Sequence, residues 1–159
     1  MTQERFIQLV EQCQPALRRL LTALCTGDSQ SADDIAQDAI IKAYVNYDKL
    51  EDEAKFSAWL YKIAYNVFLN RQRGKKATIE YCSVPYLTAD SRADDSFRYQ
   101  ALYSALALLP DKERMSILLF YLQGYSVEEI SSITNFSQSA VRQQLSRGRK
   151  HLRTLIEQD

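Results

Sequence analysis

"ITNFSQSAVRQQLSRGRKHL", residues 133–152, sets apolar residues at helical steps among basic and amide side chains that no carboxylate interrupts. Val141, Leu145, Gly148, Leu152 and the later Leu155 share one helical face, so they must point inward. Gln138, Ser139, Arg142, Gln143, Ser146, Arg147 and Arg149 are then left pointing outward. Ser137 is placed to cap this helix, and Asn135 tolerates the left-handed backbone of a tight turn better than a bulkier residue would. Upstream, Ser126 caps a short helix carrying Val127, Ile130 and Ile133. The pattern is a helix-turn-helix whose second helix presents Arg, Gln and Ser to solvent.

That outward row has the chemistry of major-groove reading. Arg holds guanine O6 and N7 in a bidentate fork and Gln does the same for adenine N6 and N7, each contact giving roughly 1–3 kcal/mol of discrimination. A capped helix start also offers free N–H groups to phosphate. For Arg149, Lys150 and Arg153 taken alone, a solvated surface or unspecific phosphate contact is an equally open reading. Gly148 costs a helix interior about 1 kcal/mol against alanine, and close packing on a neighbouring helix is the account the sequence offers.

Outward from this stretch the chain stays helical, so the fold class is all-α. Phe97 to Leu109 reads as an amphipathic helix stopped by Pro110, and Asp111 to Leu122 as another, followed by a left-handed Gly124. Near the start, Phe6, Val10, Cys13, Leu17, Leu20, Leu21 and Leu24 form one stripe, which Pro15 should kink or divide. Ser31 is expected to cap the next helix, with Asp34 returning the bond and Ile35, Ala39 and the stretch Ile40 to Val45 supplying apolar contacts. Asp34, Gln37 and Asp38 make a polar ridge along it. A third long segment carries Phe56, Leu60, Ile63 and Val67 on one stripe and Tyr61, Tyr65 and Phe68 on a second, and it ends in a basic run. Trp59, a large aromatic at helical spacing, reads as core. Residues 77–95 lack a sustained period, contain Pro85 and read as a linker between a domain at 1–76 and another at 96–159.

The 159-residue chain has 20 basic and 20 acidic residues, hence no formal net charge, so bulk electrostatics will not hold it on nucleic acid. Local segregation must do so instead. No acid lies between Glu129 and Glu157, and Arg71, Arg73, Lys75 and Lys76 form a second basic cluster. No apolar run approaches the roughly 20 residues of a membrane span, and the amino terminus lacks a basic-then-apolar leader, so a cytoplasmic location is expected. Cys13, Cys25 and Cys82 show no pairing motif and read as reduced core residues. No metal, cofactor or catalytic residue is expected: there is no phosphate loop or triad candidate, and His151 is the single histidine.

Residues 105–156, "ALALLPDKERMSILLFYLQGYSVEEISSITNFSQSAVRQQLSRGRKHLRTLI", resemble the carboxyl-terminal domain of bacterial sigma factors. "SADDIAQDAIIKAYVNYDKLEDEAKFSAWLYKIAYNVFLNRQRGKKA" resembles their second conserved region. In this order, joined by a short linker, the two blocks resemble the extracytoplasmic-function (ECF) group. The resemblance implies a non-enzymatic subunit that binds core RNA polymerase, places it at a promoter and assists melting. It implies that Asp34, Gln37 and Asp38 dock on the beta-prime coiled coil, with the beta flap as a further contact. It assigns the minus-ten element to Asn46, Leu50, Lys62, Asn66, Arg71 and Arg73, and the minus-thirty-five element to Arg142, Gln143, Ser146 and Arg147, within the outward row. Leucine stands at position 50, where several relatives carry an aromatic residue, and Asn135 and Ser131 replace a usual glycine and alanine. A monomer when free, with an anti-sigma protein as an additional partner of the group, completes the expectation. The alternative is a conventional helix-turn-helix regulator that binds a palindrome as a dimer.

Overall fold

The computed structural model describes residues 1–77 and 93–157. Of the linker reading at 77–95, residues 78–92, with Cys82 and Pro85, lie outside the described residues, while residue 77 and residues 93–95 are helical. Among those described there is no strand, and the helices are α1 (Gln3–Leu24), α2 (Ser29–Asn46), α3 (Phe56–Ala77), α4 (Ala93–Ala107), α5 (Asp111–Tyr121), α6 (Val127–Thr134) and α7 (Gln138–Glu157). Two short 3₁₀ turns, Tyr47–Lys49 and Glu53–Lys55, join α2 to α3.

Thr2 caps α1 by accepting from the Arg5 N–H. The helix is continuous through Pro15, so Pro15 does not begin a second helix. Pro15 removes the N–H that would bond the Glu11 carbonyl, and both residues are exposed, so water can satisfy what the helix loses. The chain reverses at Thr26 and Gly27, both at positive φ (56° and 96°). A Cβ at Gly27 would lie 3.1 Å from the Tyr103 ring.

This tight reversal starts α2 earlier than the sequence reading allowed. Asp28, not Ser31, is the cap: its carboxylate accepts from the Ser31 N–H at 3.1 Å and from the Ser31 hydroxyl at 2.7 Å. The apolar assignment of α2 holds at Ile35, Ala39 and Ala43 and needs correction at the larger residues around Ala43. Ala32, Ile35, Ala36, Ala39 and Ala43 are buried, whereas Ile41, Tyr44 and Val45 are 61%, 46% and 71% exposed. Small alanines let α2 lie close between α1 and α3, and that close approach turns the bulky residues of the same helix outward.

On α3 both expected stripes are buried, apart from half-buried Ile63, and Trp59 is half-buried beside Phe56. In the carboxyl-terminal half, α5 and α6 pack on α7. The two halves nevertheless share one apolar core, because α1 also packs on α5 and α3 on α6. Arg114 joins them. Its buried guanidinium donates to the carbonyls of Leu106 (2.8 Å) in the last turn of α4 and Leu109 (2.9 Å) just after it, and to the carbonyl of Leu24 (2.9 Å) at the end of α1. Burial pulls the Arg114 pKa below its ordinary value, Asp111 opposes that, and the carbonyls replace the water this side chain has lost.

Candidate nucleic-acid interface

The helix-turn-helix is built as the sequence indicated, with additions. Ser126 and Glu129 form a reciprocal capping box at the start of α6, at 3.2 and 3.1 Å. Asn135 takes the left-handed conformation, φ 69°, in the turn. The Ser131 hydroxyl donates to the Phe136 carbonyl, which gives serine a role where alanine is usual. Ser137 caps α7, accepting from the Ala140 N–H at 3.1 Å. The turn is therefore held from both sides.

Val141, Leu145 and Gly148 are buried under α7, with Leu152 and Leu155 half-buried. Gly148 is where α7 meets α5: an added Cβ would stand 2.7 Å from Ile117 Cγ1. Gln138, Ser139, Arg142, Gln143, Ser146, Arg147 and Arg149 are all exposed. At 100° per residue they cover about half the helix circumference, with Ser139 and Ser146 near its middle, Gln138 and Arg149 toward one edge and Arg147 at the other. Arg149 donates to the Tyr121 hydroxyl at 3.1 Å, so it is tethered to the end of α5. Gln144, on the opposite flank, accepts from buried Ser116 at 2.6 Å and belongs to the packing.

The second set divides. Lys62, Asn66 and Arg73 are exposed and fall within about 40° of one another on α3, with Arg73 donating to Asn70 at 3.4 Å. Arg71 lies on the opposite side of that helix. Its guanidinium bonds Asp38 at 2.8 Å and lies 4.0 Å from Asp34, so the structure joins it to the acidic ridge of α2 rather than to Lys62 and Asn66. Asn46 is half-buried at the end of α2 and its amide nitrogen donates to the Lys42 carbonyl at 2.8 Å, leaving its oxygen to accept. Leu50 is half-buried against the core and offers an apolar wall.

Asp34 and Gln37 are exposed and Asp38 is half-exposed, as a ridge requires. Ile41 and Val45 continue the same line of steps of three and four, a feature the sequence reading assigned to the interior. Beside them a groove of about 430 Å³ opens between α1 and α2, lined by Phe6, Ile7, Val10, Ile40, Ile41 and Tyr44 with Glu11 and Gln14. The signal was available: an acidic ridge followed at helical spacing by Ile41 and Val45. Among the described residues no group of three or more His, Cys, Asp or Glu is placed to hold a metal ion, and no helix is long and apolar enough to cross a membrane. Cys13 is buried and contacts the Ser57 hydroxyl at 3.1 Å. Burial pushes the half-buried Cys25 thiol up to about 11.

The model of Sigma-70 region 2 matches residues 9–78, and that of Sigma-70 region 4 matches residues 99–152. The chain is 37% identical over 142 residues to the ECF RNA polymerase sigma factor SigW of Bacillus subtilis, covering 80% of this chain and 76% of that protein. The chain belongs to the ECF sigma factors. It is also 25% identical to the sigma factor EcfG of Rhodopseudomonas palustris, over 89% of this chain and 80% of that one. In fold it resembles the sigma factor RpoE from Bartonella quintana, solved with the anti-sigma factor NepR: the TM-score is 0.79 at 24% identity, over 98% of this chain and 99% of that one. CnrH, solved with the cytosolic domain of CnrY, gives 0.73 at 24% identity, over 99% and 91%. Within this ECF sigma factor, α1 to α3 correspond to region 2, and α4 to α7 to most of region 4.

Proposed function

We propose that this sigma factor reads the minus-thirty-five element with the outward row of α7 and the minus-ten element with Asn46, Leu50, Lys62, Asn66 and Arg73. The observation that carries the reading is the division of α7: a full row of exposed Arg, Gln and Ser backed by buried Val141, Leu145 and Gly148. Arg142 and Arg147 supply guanidinium forks, Gln138 and Gln143 amide pairs, and Ser139 and Ser146 small hydroxyls that let the helix approach. Arg149, held by Tyr121, serves phosphate on the flank.

For the minus-ten element, Leu50 forms the apolar wall and the Asn46 oxygen and Asn66 amide bond an unstacked base, while Lys62 and Arg73 hold the backbone. Core polymerase docks on the ridge of Asp34, Gln37 and Asp38, with Ile41 and Val45 adding apolar contact. Arg71 tempers the acids there. The domains divide at 1–76 and 96–159, the protein carries no catalytic centre, and it acts as a monomer beside the polymerase in the cytoplasm. The complex of RpoE with the anti-sigma factor NepR supports an anti-sigma protein as a further partner.

The test is transcription in vitro from fragmented genomic DNA with core polymerase, this protein, or both. Discrete start sites only with both components support the reading. Binding of a palindrome by a dimer without polymerase, and no product with it, would overturn it.

A further inference from the structure

A cavity of about 530 Å³ opens where the end of α1, the start of α2 and the last turns of α3 come together. That volume suits a small organic molecule. Buried Leu24, Ile35 and Phe68 line it with apolar surface, and Ala107, the exposed last residue of α4, borders it. The polar part of the wall is cationic. Arg71 and Lys75, one turn apart on α3, both line it, and so does buried Arg114.

Asp28 is the acidic side chain among the described lining residues, and it is already engaged: its carboxylate accepts from the Ser31 N–H at 3.1 Å and the Ser31 hydroxyl at 2.7 Å. Cys25 borders the same cavity, and burial keeps its thiol neutral by raising the pKa to about 11. Three cations against one carboxylate give the cavity a field that favours an anion. Arg114 adds most to that field, because a charge surrounded by protein is screened far less than one in water.

Arg71 serves two surfaces at once. While lining the cavity, its guanidinium bonds Asp38 at 2.8 Å and lies 4.0 Å from Asp34 on the ridge of α2. The guanidinium is always charged and carries five N–H donors, so it can turn from one acceptor to another without losing a proton. An anion that bonds Arg71 from within the cavity loosens its hold on Asp38 and leaves the ridge more negative.

We propose that this cavity is a binding site for a small organic anion, an apolar body carrying a phosphate or a carboxylate, and that its occupant competes with Asp38 for Arg71. Resting on the polymerase-docking role given above to Asp34, Gln37 and Asp38, an occupied site strengthens docking on core polymerase, since a more acidic ridge meets a basic partner surface. By linkage, polymerase then raises the affinity for the anion by the same factor.

Titration calorimetry on the full chain tests the site with adenosine 5′-monophosphate and octanoate as the phosphate and carboxylate probes, and with adenosine and octanol as their uncharged counterparts. Saturable binding of one anion, at least about tenfold tighter than its uncharged counterpart, is expected and tells the phosphate source from the carboxylate source. No saturable binding of either anion, or equal binding of charged and uncharged probes, overturns the proposal. Lys75→Gln should weaken the anion about tenfold, and Ala107→Phe should block it by filling the cavity while helix content by circular dichroism stays unchanged. Binding that neither variant alters overturns the location; if Ala107→Phe does not fold, Lys75→Gln decides alone. The bound anion should tighten core polymerase binding about fivefold in the wild-type protein and not in Arg71→Gln. An anion that binds without changing polymerase affinity, or that acts equally on Arg71→Gln, overturns the competition at Arg71. Binding of core polymerase by Asp34→Asn and Asp38→Asn without any anion is measured alongside, so that failure of the docking role is told apart from failure of the site.

Discussion

Gly148→Ala should destabilise the protein in its native background and stabilise it once Ile117 is shortened. Alanine gains about 1 kcal/mol of helix propensity over glycine. Against this, its Cβ would stand 2.7 Å from Ile117 Cγ1 and 3.1 Å from Cδ1, where ordinary carbon contacts lie at about 3.5–4.0 Å. Ile117 is buried and β-branched, and Cγ1 is the near part of its side chain, so it cannot swing clear without leaving its rotamer or moving α5. Overpacking of this kind costs about 1–3 kcal/mol, which leaves a net loss of about 1 kcal/mol. Ile117→Ala removes both offending atoms at a cost of about 2–5 kcal/mol of its own. In that background Gly148→Ala should gain about 1 kcal/mol, since propensity acts unopposed and the methyl re-enters the cavity. The coupling is then about 2 kcal/mol, read from urea unfolding of the four proteins by circular dichroism. Equal stabilisation by Gly148→Ala in both backgrounds would refute the claim that contact with α5 requires this glycine.

Ser126→Ala should cost about 1 kcal/mol by removing the capping box, lowering the unfolding temperature by about 2–4 °C. Asn135→Gly should be near neutral, while Asn135→Val should cost about 1–2 kcal/mol because a branched side chain resists φ 69°; thermal unfolding measures both. Arg142→Ala and Arg147→Ala should each weaken minus-thirty-five discrimination by about 1–3 kcal/mol while leaving polymerase binding intact, measured by transcription from promoters mutated in that element. Burial raises the pKa of Tyr65 and Tyr125 to about 12 each, so the neutral hydroxyl is favoured in the folded protein. Their contribution to stability should be complete below about pH 10 and be lost as pH rises through about 12, which unfolding measured against pH will show; Tyr65→Phe should make that decline shallower.

Periodicity and cap chemistry are local, and the sequence carried them well. The helix-turn-helix, the left-handed Asn135, the outward row of α7 and the need for Gly148 could all be read from spacing and from what each side chain permits. Other features depended on competition between local choices. Asp28 and Ser31 are both good caps, and the tight reversal at Thr26 and Gly27 decided for Asp28. The separation of Arg71 from Lys62 and Asn66 was legible too, since the nine residues from Lys62 to Arg71 turn an α-helix through about two and a half revolutions and end on the opposite side, but family correspondence grouped it with them.

The sequence by itself determined the helices, their capped ends and the chemistry each surface offers, because those follow from interactions within a few residues. Only the tertiary structure decided that alanines carry α2 into the bundle while Ile41 and Val45 face out, that Arg71 turns to Asp38, and that the two halves meet through Arg114, Gln123 and Tyr65. These contacts join residues up to about a hundred positions apart, and their balance of burial against unpaired polar groups exists only once the helices are packed.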